Sequence, residues 1–279
     1  MRARLGMFAL TLGCIAAPAA AQVAASAVRA DGASVPLRVF SPEGGGPCPP
    51  TLIYSHGLGG SEKGPAELAD ALAKRGMRTI FMGHKESGWP QLRAALPGGK
   101  AAVIAAAREP ASHAARFADL AAALGEATRQ CRPRFLALAG HSMGAQTAMM
   151  EAGAQARIDV TGQDRFDAYV ALSPQGVGSA FAQGAWDRVR KPVLMVTGTR
   201  DTSETEDYSS RRAAFEGLPP GAKRLVVIPG AGHLQIGGFG PGAAAVQKHV
   251  AEAMAEFLGE AAAGHVGISR LTGVETRDK

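Results

Sequence analysis

Phe135-Leu-Ala-Leu-Ala-Gly140-His-Ser142-Met-Gly144-Ala-Gln-Thr-Ala-Met-Met150 decides the reading of this chain. Phe135 to Ala139 are all apolar, a run short enough for a strand buried on both faces. Gly140-x-Ser142-x-Gly144 follows, and then a run of good helix formers, Ala145 to Ala152. With 36 glycines in the chain the motif alone could arise by chance; its position between strand and helix gives it meaning. Strand, sharp turn and helix around a serine present that serine as a nucleophile. Ser142 is expected to take a strained backbone conformation, and side chains at 140 and 144 would collide with the neighbouring strand and helix. The helix directs its free N–H groups and positive dipole end toward the serine, which suits a developing negative charge.

Outward from this stretch, buried strands alternate with helical patterns. Val23 to Arg29 and Val35 to Phe40 flank Asp31-Gly32 and read as a β-hairpin. Ser41 to Pro50, with three glycines and four prolines, is a loop. Thr51 to Ser55 is a strand running into His56-Gly57-Leu58-Gly59-Gly60. Pro65 to Arg75 is an amphipathic helix with Pro in its first turn and Gly76 past its end, and Met77 to Met82 is a strand. Gly83 to Gly99 reads as irregular. Helices are expected over Ala101 to Glu109 and, with Ser112 as N-cap, to Gln130. Beyond the central serine, Asp167 to Leu172, Pro192 to Thr197 and Arg224 to Ile228 are strands, with a helix over Asp207 to Phe215. The last helix spans about Ala243 to Leu258, and after about residue 260 the tail loses periodicity and is expected to be mobile. This alternation predicts an α/β fold: one domain over 22–279, with a mostly parallel sheet and helices on both faces. Loops at the carboxyl ends of the strands then carry function.

The first 21 residues read as a secretory signal: basic Met1 to Arg4, an apolar stretch from Leu5 to Ala17, and small residues ending at Ala21. The apolar core is shorter than the ~20 residues that span a membrane. Cys14 as a lipoprotein anchor is the alternative, but Thr11 stands where a lipobox has an aliphatic residue. Cleavage near Ala21 removes Arg2 and Arg4, so the formal charge falls from +6 to +4, 28 basic against 24 acidic residues. The basic residues are scattered without interleaved aromatics, which argues against nucleic acid as the partner. A periplasmic or extracellular location is expected, with no transmembrane span.

Ser142, Asp201 and His233 each lie just past a predicted strand, hence on one edge of the sheet. A serine hydroxyl needs a base, and His233 follows the last strand in Gly230-Ala-Gly-His233, a loop able to turn the ring back toward Ser142. Among the other histidines, His141 sits too tightly beside the serine, His113 reads as a solvated helix start, and His56 and His84 follow strands and could line a pocket. Asp201, directly after Gly198-Thr-Arg, is the expected acid that orients the imidazole. Its rivals Glu204, Glu206 and Asp207 read as a solvated helix start. The N–H groups of Met143 and Leu58 are expected to form an oxyanion hole. Trp89, Trp186 and Phe239 either line an apolar acyl pocket or pack loops on the core. No HExxH or CxxC is present, so no metal or cofactor is expected.

Ser55-His-Gly-Leu-Gly-Gly60, Gly140-His-Ser-Met-Gly144, Gly198-Thr-Arg-Asp201 and Gly230-Ala-Gly-His233 together resemble the α/β-hydrolase superfamily. Within it the chain is similar to bacterial dienelactone-hydrolase-like esterases, related to platelet-activating-factor acetylhydrolases and chlorophyllases. The resemblance runs from about Val23 to Leu258. It implies a serine hydrolase working through an acyl-serine intermediate, with a small-molecule or lipid-like carboxylic ester as its partner. The alternatives are amide, thioester or polyester cleavage with the same residues, or an idle binding protein. Dienelactone hydrolases proper use cysteine where this chain has Ser142, so their substrate does not transfer. The stretch between Leu172 and Pro192 is too short for a large lid domain. In such a sheet the strands beginning near Thr51 and Arg134 are neighbours, which places Cys48 and Cys131 at the same end. An exported chain would then pair them as a disulfide, the alternative being two free thiols.

Overall fold

The computed structural model describes residues 21–279 apart from 179, 204 and 205; residues 1–20 of the expected signal segment, with Cys14, and the rival acid Glu204 lie outside the described residues. In chain order the strands are β1 (Ala21–Val28), β2 (Ser34–Ser41), β3 (Thr51–Ser55), β4 (Arg78–Met82), β5 (Leu136–His141), β6 (Ala168–Leu172), β7 (Val193–Arg200), β8 (Lys223–Gly232) and β9 (Glu275–Asp278). The helices are α1 (Ala66–Ala73), α2 (Trp89–Ala95), α3 (Gly99–Arg108), α4 (Pro110–Thr128), α5 (Met143–Glu151), α6 (Tyr208–Glu216), α7 (His233–Ile236) and α8 (Ala243–Ala262). One sheet holds all nine strands in the order β1-β2-β4-β3-β5-β6-β7-β8-β9. The six strands from β4 to β8 are parallel, and β1, β2 and β9 run antiparallel to their inner neighbours.

Period-two alternation divides the sheet residues between two cores. Ile53, Leu138, Tyr169, Met195 and Val227 face the side covered by α4, α5 and α6. Leu52, Tyr54, Ala139, Val170, Val196 and Ile228 face the side covered by α1 and α8. Both faces are thus buried, as continuous apolar runs in parallel strands require.

Several expectations are corrected. Gly83 to Gly99 is not irregular throughout, because α2 forms within it. The N-cap of α4 is Glu109, whose side chain accepts from the Ala111 N–H with Pro110 in the first turn; Ser112 instead donates to the Glu86 carbonyl. The tail forms β9, an edge strand on β8. Buried Arg224 pairs there with Asp278 at 2.6 Å and with Glu256 at 2.8 Å, tying tail to strand and to α8. Cys48 and Cys131 form a disulfide with Cα atoms 6.0 Å apart. The register pairs Thr51 with Leu136, so the cysteines are unequally offset along β3 and β5, and the intervening loops absorb the difference.

Candidate active site

The ends of β5, β7 and β8 bring three side chains together. Ser142 sits between β5 and α5 at φ 54° and ψ −117°, outside the regions L-residues favour. The motif glycines are required by contact: a Cβ on Gly140 would overlap the Gly144 carbonyl, and one on Gly144 would overlap the Ser55 carbonyl. β7 and β8 both run past their expected ends, and after a shift in register Arg200 pairs with Gly232. That pairing sets Asp201 and His233, the next residue on each strand, side by side. His233 Nδ1 lies 2.8 Å from Asp201 Oδ1, and its Nε2 lies 3.0 Å from Ser142 Oγ. The short helix α7 fixes the ring: Gln235 caps it at the Gly232 N–H, and Gln247 on α8 donates to the carbonyls of Gln235 and Ile236.

Asp201 is fully buried and accepts from Thr197 Oγ1 at 2.9 Å. Burial alone would raise its pKa, but the hydrogen bond from His233 and the Arg211 guanidinium hold it below the usual carboxylate value. Arg211, a residue that sequence reasoning missed, approaches Asp201 Oδ1 to 2.9 Å. Its position on a helix among polar residues resembles a solvated cation, and only the fold reveals that it is buried. Asp207 caps α6 through the Ser210 N–H, and Glu206 accepts from Gly176 N–H and Ser210 Oγ. Neither touches His233.

The N–H groups of Met143 and Leu58 have no hydrogen-bond acceptor among the described residues. The Gly57 backbone packs against His141 and Ser142, so the β3 loop borders the serine. A second Ser–His–Asp chain supports that loop from behind. Ser55 Oγ meets His84 Nε2 at 2.8 Å, and His84 Nδ1 meets Asp119 Oδ2 at 2.8 Å. Arg116 donates to Ser55 Oγ and to the His56 carbonyl, and Ser87 accepts the Gly59 N–H. Ser55 is wholly buried, so this chain is a brace and no nucleophile. His84 belongs to the brace rather than to a pocket. His113 is likewise buried instead of solvated, against the Ala107 carbonyl.

A cavity of about 150 Å³ is lined by Tyr54, His56, Lys63, Trp89, His141 and Phe239; it reaches Gly57 and His141, the neighbours of Ser142, without including any of the three relay residues. Trp89 and Phe239 are each about half exposed there. Trp186 does not join them. It is buried against Phe181, with ring centroids 5.3 Å apart, because the chain after β6 folds back over the α5–α6 side. A larger open cleft of about 640 Å³, between Lys223 and tail residues Val266 and Ile268, lies at the start of β8, the strand end away from Ser142. No group of acidic, histidine and cysteine side chains among the described residues could hold a metal. No helix among them is long and apolar enough to cross a membrane.

No protein-family model matches the sequence, and no curated protein matches it. Solved structures do share its fold. Est1E from Butyrivibrio proteoclasticus superposes with a TM-score of 0.61 at 18% identity, over 86% of this chain and 99% of that one. A dienelactone hydrolase from Anabaena variabilis gives 0.52 at 18% identity, over 86% and 100% of the two chains. A cold-adapted esterase from an Arctic intertidal metagenomic library gives 0.59 at 18% identity, over 90% and 100%. The architecture is the α/β-hydrolase fold that the four motifs resemble.

Proposed function

We propose that the protein is an exported serine hydrolase that cleaves carboxylic esters through an acyl-serine intermediate. The observation that carries this reading is the unbroken relay from Asp201 through His233 to Ser142 Oγ, at 2.8 and 3.0 Å, on a serine held at φ 54°. His233 Nε2 takes the hydroxyl proton as Ser142 Oγ attacks the ester carbonyl, and Asp201 fixes the tautomer and stabilises the imidazolium. The N–H groups of Met143 and Leu58 receive the oxyanion. Collapse expels the alcohol with the proton from His233, and water then repeats the sequence to free the acid. The half-exposed Trp89 and Phe239, which share a cavity with His141, the neighbour of Ser142, favour an apolar or aromatic acyl group. The similarity in fold to esterases supports ester over amide. Export is supported by the basic and apolar leader and by the Cys48–Cys131 bond.

Nitrophenyl esters of graded acyl length, tested on wild type and Ser142→Ala, decide the reading. The variant should fold normally and lose on the order of a thousandfold or more in kcat. It should also resist a fluorophosphonate label that wild type takes up. A folded variant with wild-type turnover would end the proposal.

A further inference from the structure

Arg211 has no role in the reaction as written, yet it is buried against two of the three relay residues. Its Nε reaches the Asp201 carboxylate at 2.9 Å and donates to the Asp201 carbonyl at 3.2 Å. Nη1 donates to the carbonyls of Ser173 and Pro174 at 2.9 and 2.7 Å, and Nη2 donates to Ser203 Oγ at 3.1 Å. Nη2 also lies 3.2 Å from His233 Nδ1, the atom that faces Asp201 at 2.8 Å. One guanidinium thus ties the loop after β6, the loop after β7 and α6 to the acid–base pair. Arginine suits this because its rigid fork serves several acceptors at once and stays charged when buried.

Two partners compete for His233 Nδ1. A carboxylate there selects the tautomer with Nδ1–H, leaving Nε2 as the acceptor for the Ser142 hydroxyl. Were Asp201 neutral or displaced, the Arg211 donor would select the opposite tautomer and Nε2 could accept no proton. We propose that Arg211 is a positioning residue of the relay, which keeps the Asp201 carboxylate ionised and aimed at His233 Nδ1. The proposal rests on the reading of Asp201 and His233 as partners of Ser142. The remaining groups that face the pair are few. The His141 ring lies 4.8 Å from that of His233, with its Nε2–H donating to the His233 carbonyl, and burial pushes its pKa down to about 3. Glu206 and Asp207 face Arg211 from the start of α6 and are engaged by Ser210. Arg211 is therefore the one cation described at the pair, and with the hydrogen bond from His233 it opposes the burial that favours a protonated Asp201.

The test compares Arg211→Gln, which can still donate hydrogen bonds, with Arg211→Lys, which keeps a charge. In Arg211→Gln, kcat should fall at least about tenfold with KM within about twofold, as expected for an interaction outside substrate binding. The acid limb of its pH–rate profile should move up by about one unit. Arg211→Lys should keep the limb within about 0.3 unit of wild type whatever its kcat. A purely structural role would lower kcat and leave the limb unmoved in both. Proton NMR supplies a readout independent of turnover: the downfield imidazole N–H resonance, assigned by its loss in His233→Ala, should persist to lower pH in wild type than in Arg211→Gln. If wild type hydrolyses no ester but this resonance responds as described, the functional reading fails and the positioning role stands. An unmoved limb and resonance in Arg211→Gln would overturn the role. So would a limb in Arg211→Lys that shifts by a full unit, and that variant decides alone if the glutamine protein does not fold.

Discussion

Asp201 and Asp207 share one loop, and only their surroundings separate them. Asp201 is buried and meets His233 at 2.8 Å, and in the proposed relay its charge fixes the imidazole, whereas Asp207 is solvated and caps α6. Asp201→Asn should leave the backbone intact yet hold the wrong tautomer, costing on the order of 10⁴-fold in kcat. Asp207→Asn preserves the cap and should stay within about twofold of wild type. Steady-state kinetics on both variants check this, and the reverse pattern would move the acid down the loop. That Ser142, Asp201 and His233 meet at one edge of the sheet was legible in the sequence, because each follows a strand in a recognisable motif. Arg211 was not, since its importance comes from three loops that converge only in the fold. His84 and His113 were misjudged for the same reason. Their partners, Asp119 and the Ala107 carbonyl, carry no sequence signal of the contact.

At the level of elements, apolar runs located the parallel strands because each faces two cores, and the glycine-flanked serine located the turn between β5 and α5. Polar edges were harder to read. β9 is Glu275-Thr-Arg-Asp278, with no apolar alternation, and its partner on β8 is distant in sequence. What anchors it is Arg224, buried on β8 with Asp278, Glu256 and Glu260 around its guanidinium. Removing the cation strands three partly buried carboxylates against one another. Arg224→Met should therefore cost about 3 kcal/mol in urea unfolding, the usual penalty for breaking a buried pair from one side. The proposed ester hydrolysis, measured per folded molecule, should be unchanged, since Arg224 lies at the strand end away from Ser142. A loss below about 0.5 kcal/mol, the range of surface substitutions, would show that β9 is not held by this cluster.

Across the whole molecule, neutral buried histidines make stability depend on pH. Burial pushes His56 and His141 down to about 3 and His113 to about 4, and it lowers His84 as well. In the unfolded chain each returns to about 6.5. Below that value the unfolded state takes up protons that the folded state refuses, so stability is fully present above about pH 6.5 and drains away as pH falls toward the folded values. Each histidine contributes a slope of up to about 1.4 kcal/mol per pH unit. Asp119 works in the opposite sense: burial raises it to about 6, so its protonation in the folded state offsets one histidine's share between about pH 6 and 4. Asp201, held low, adds its own loss only in stronger acid, because its unfolded counterpart stays ionised down to about pH 4. The window between about pH 6.5 and 5 therefore reports the histidines, less the Asp119 offset below about pH 6. Against a typical total of about 5–15 kcal/mol, a loss of even a few kcal/mol by pH 5 is a large fraction of the stability. Urea midpoints should be level from pH 8 to 7 and fall steeply below 6.5. His113→Gln, which removes one contributor away from the serine, should flatten that fall. Midpoints that stay constant down to pH 5 would mean that the buried imidazoles are protonated in the folded state, contrary to the burial and hydrogen bonding described for them.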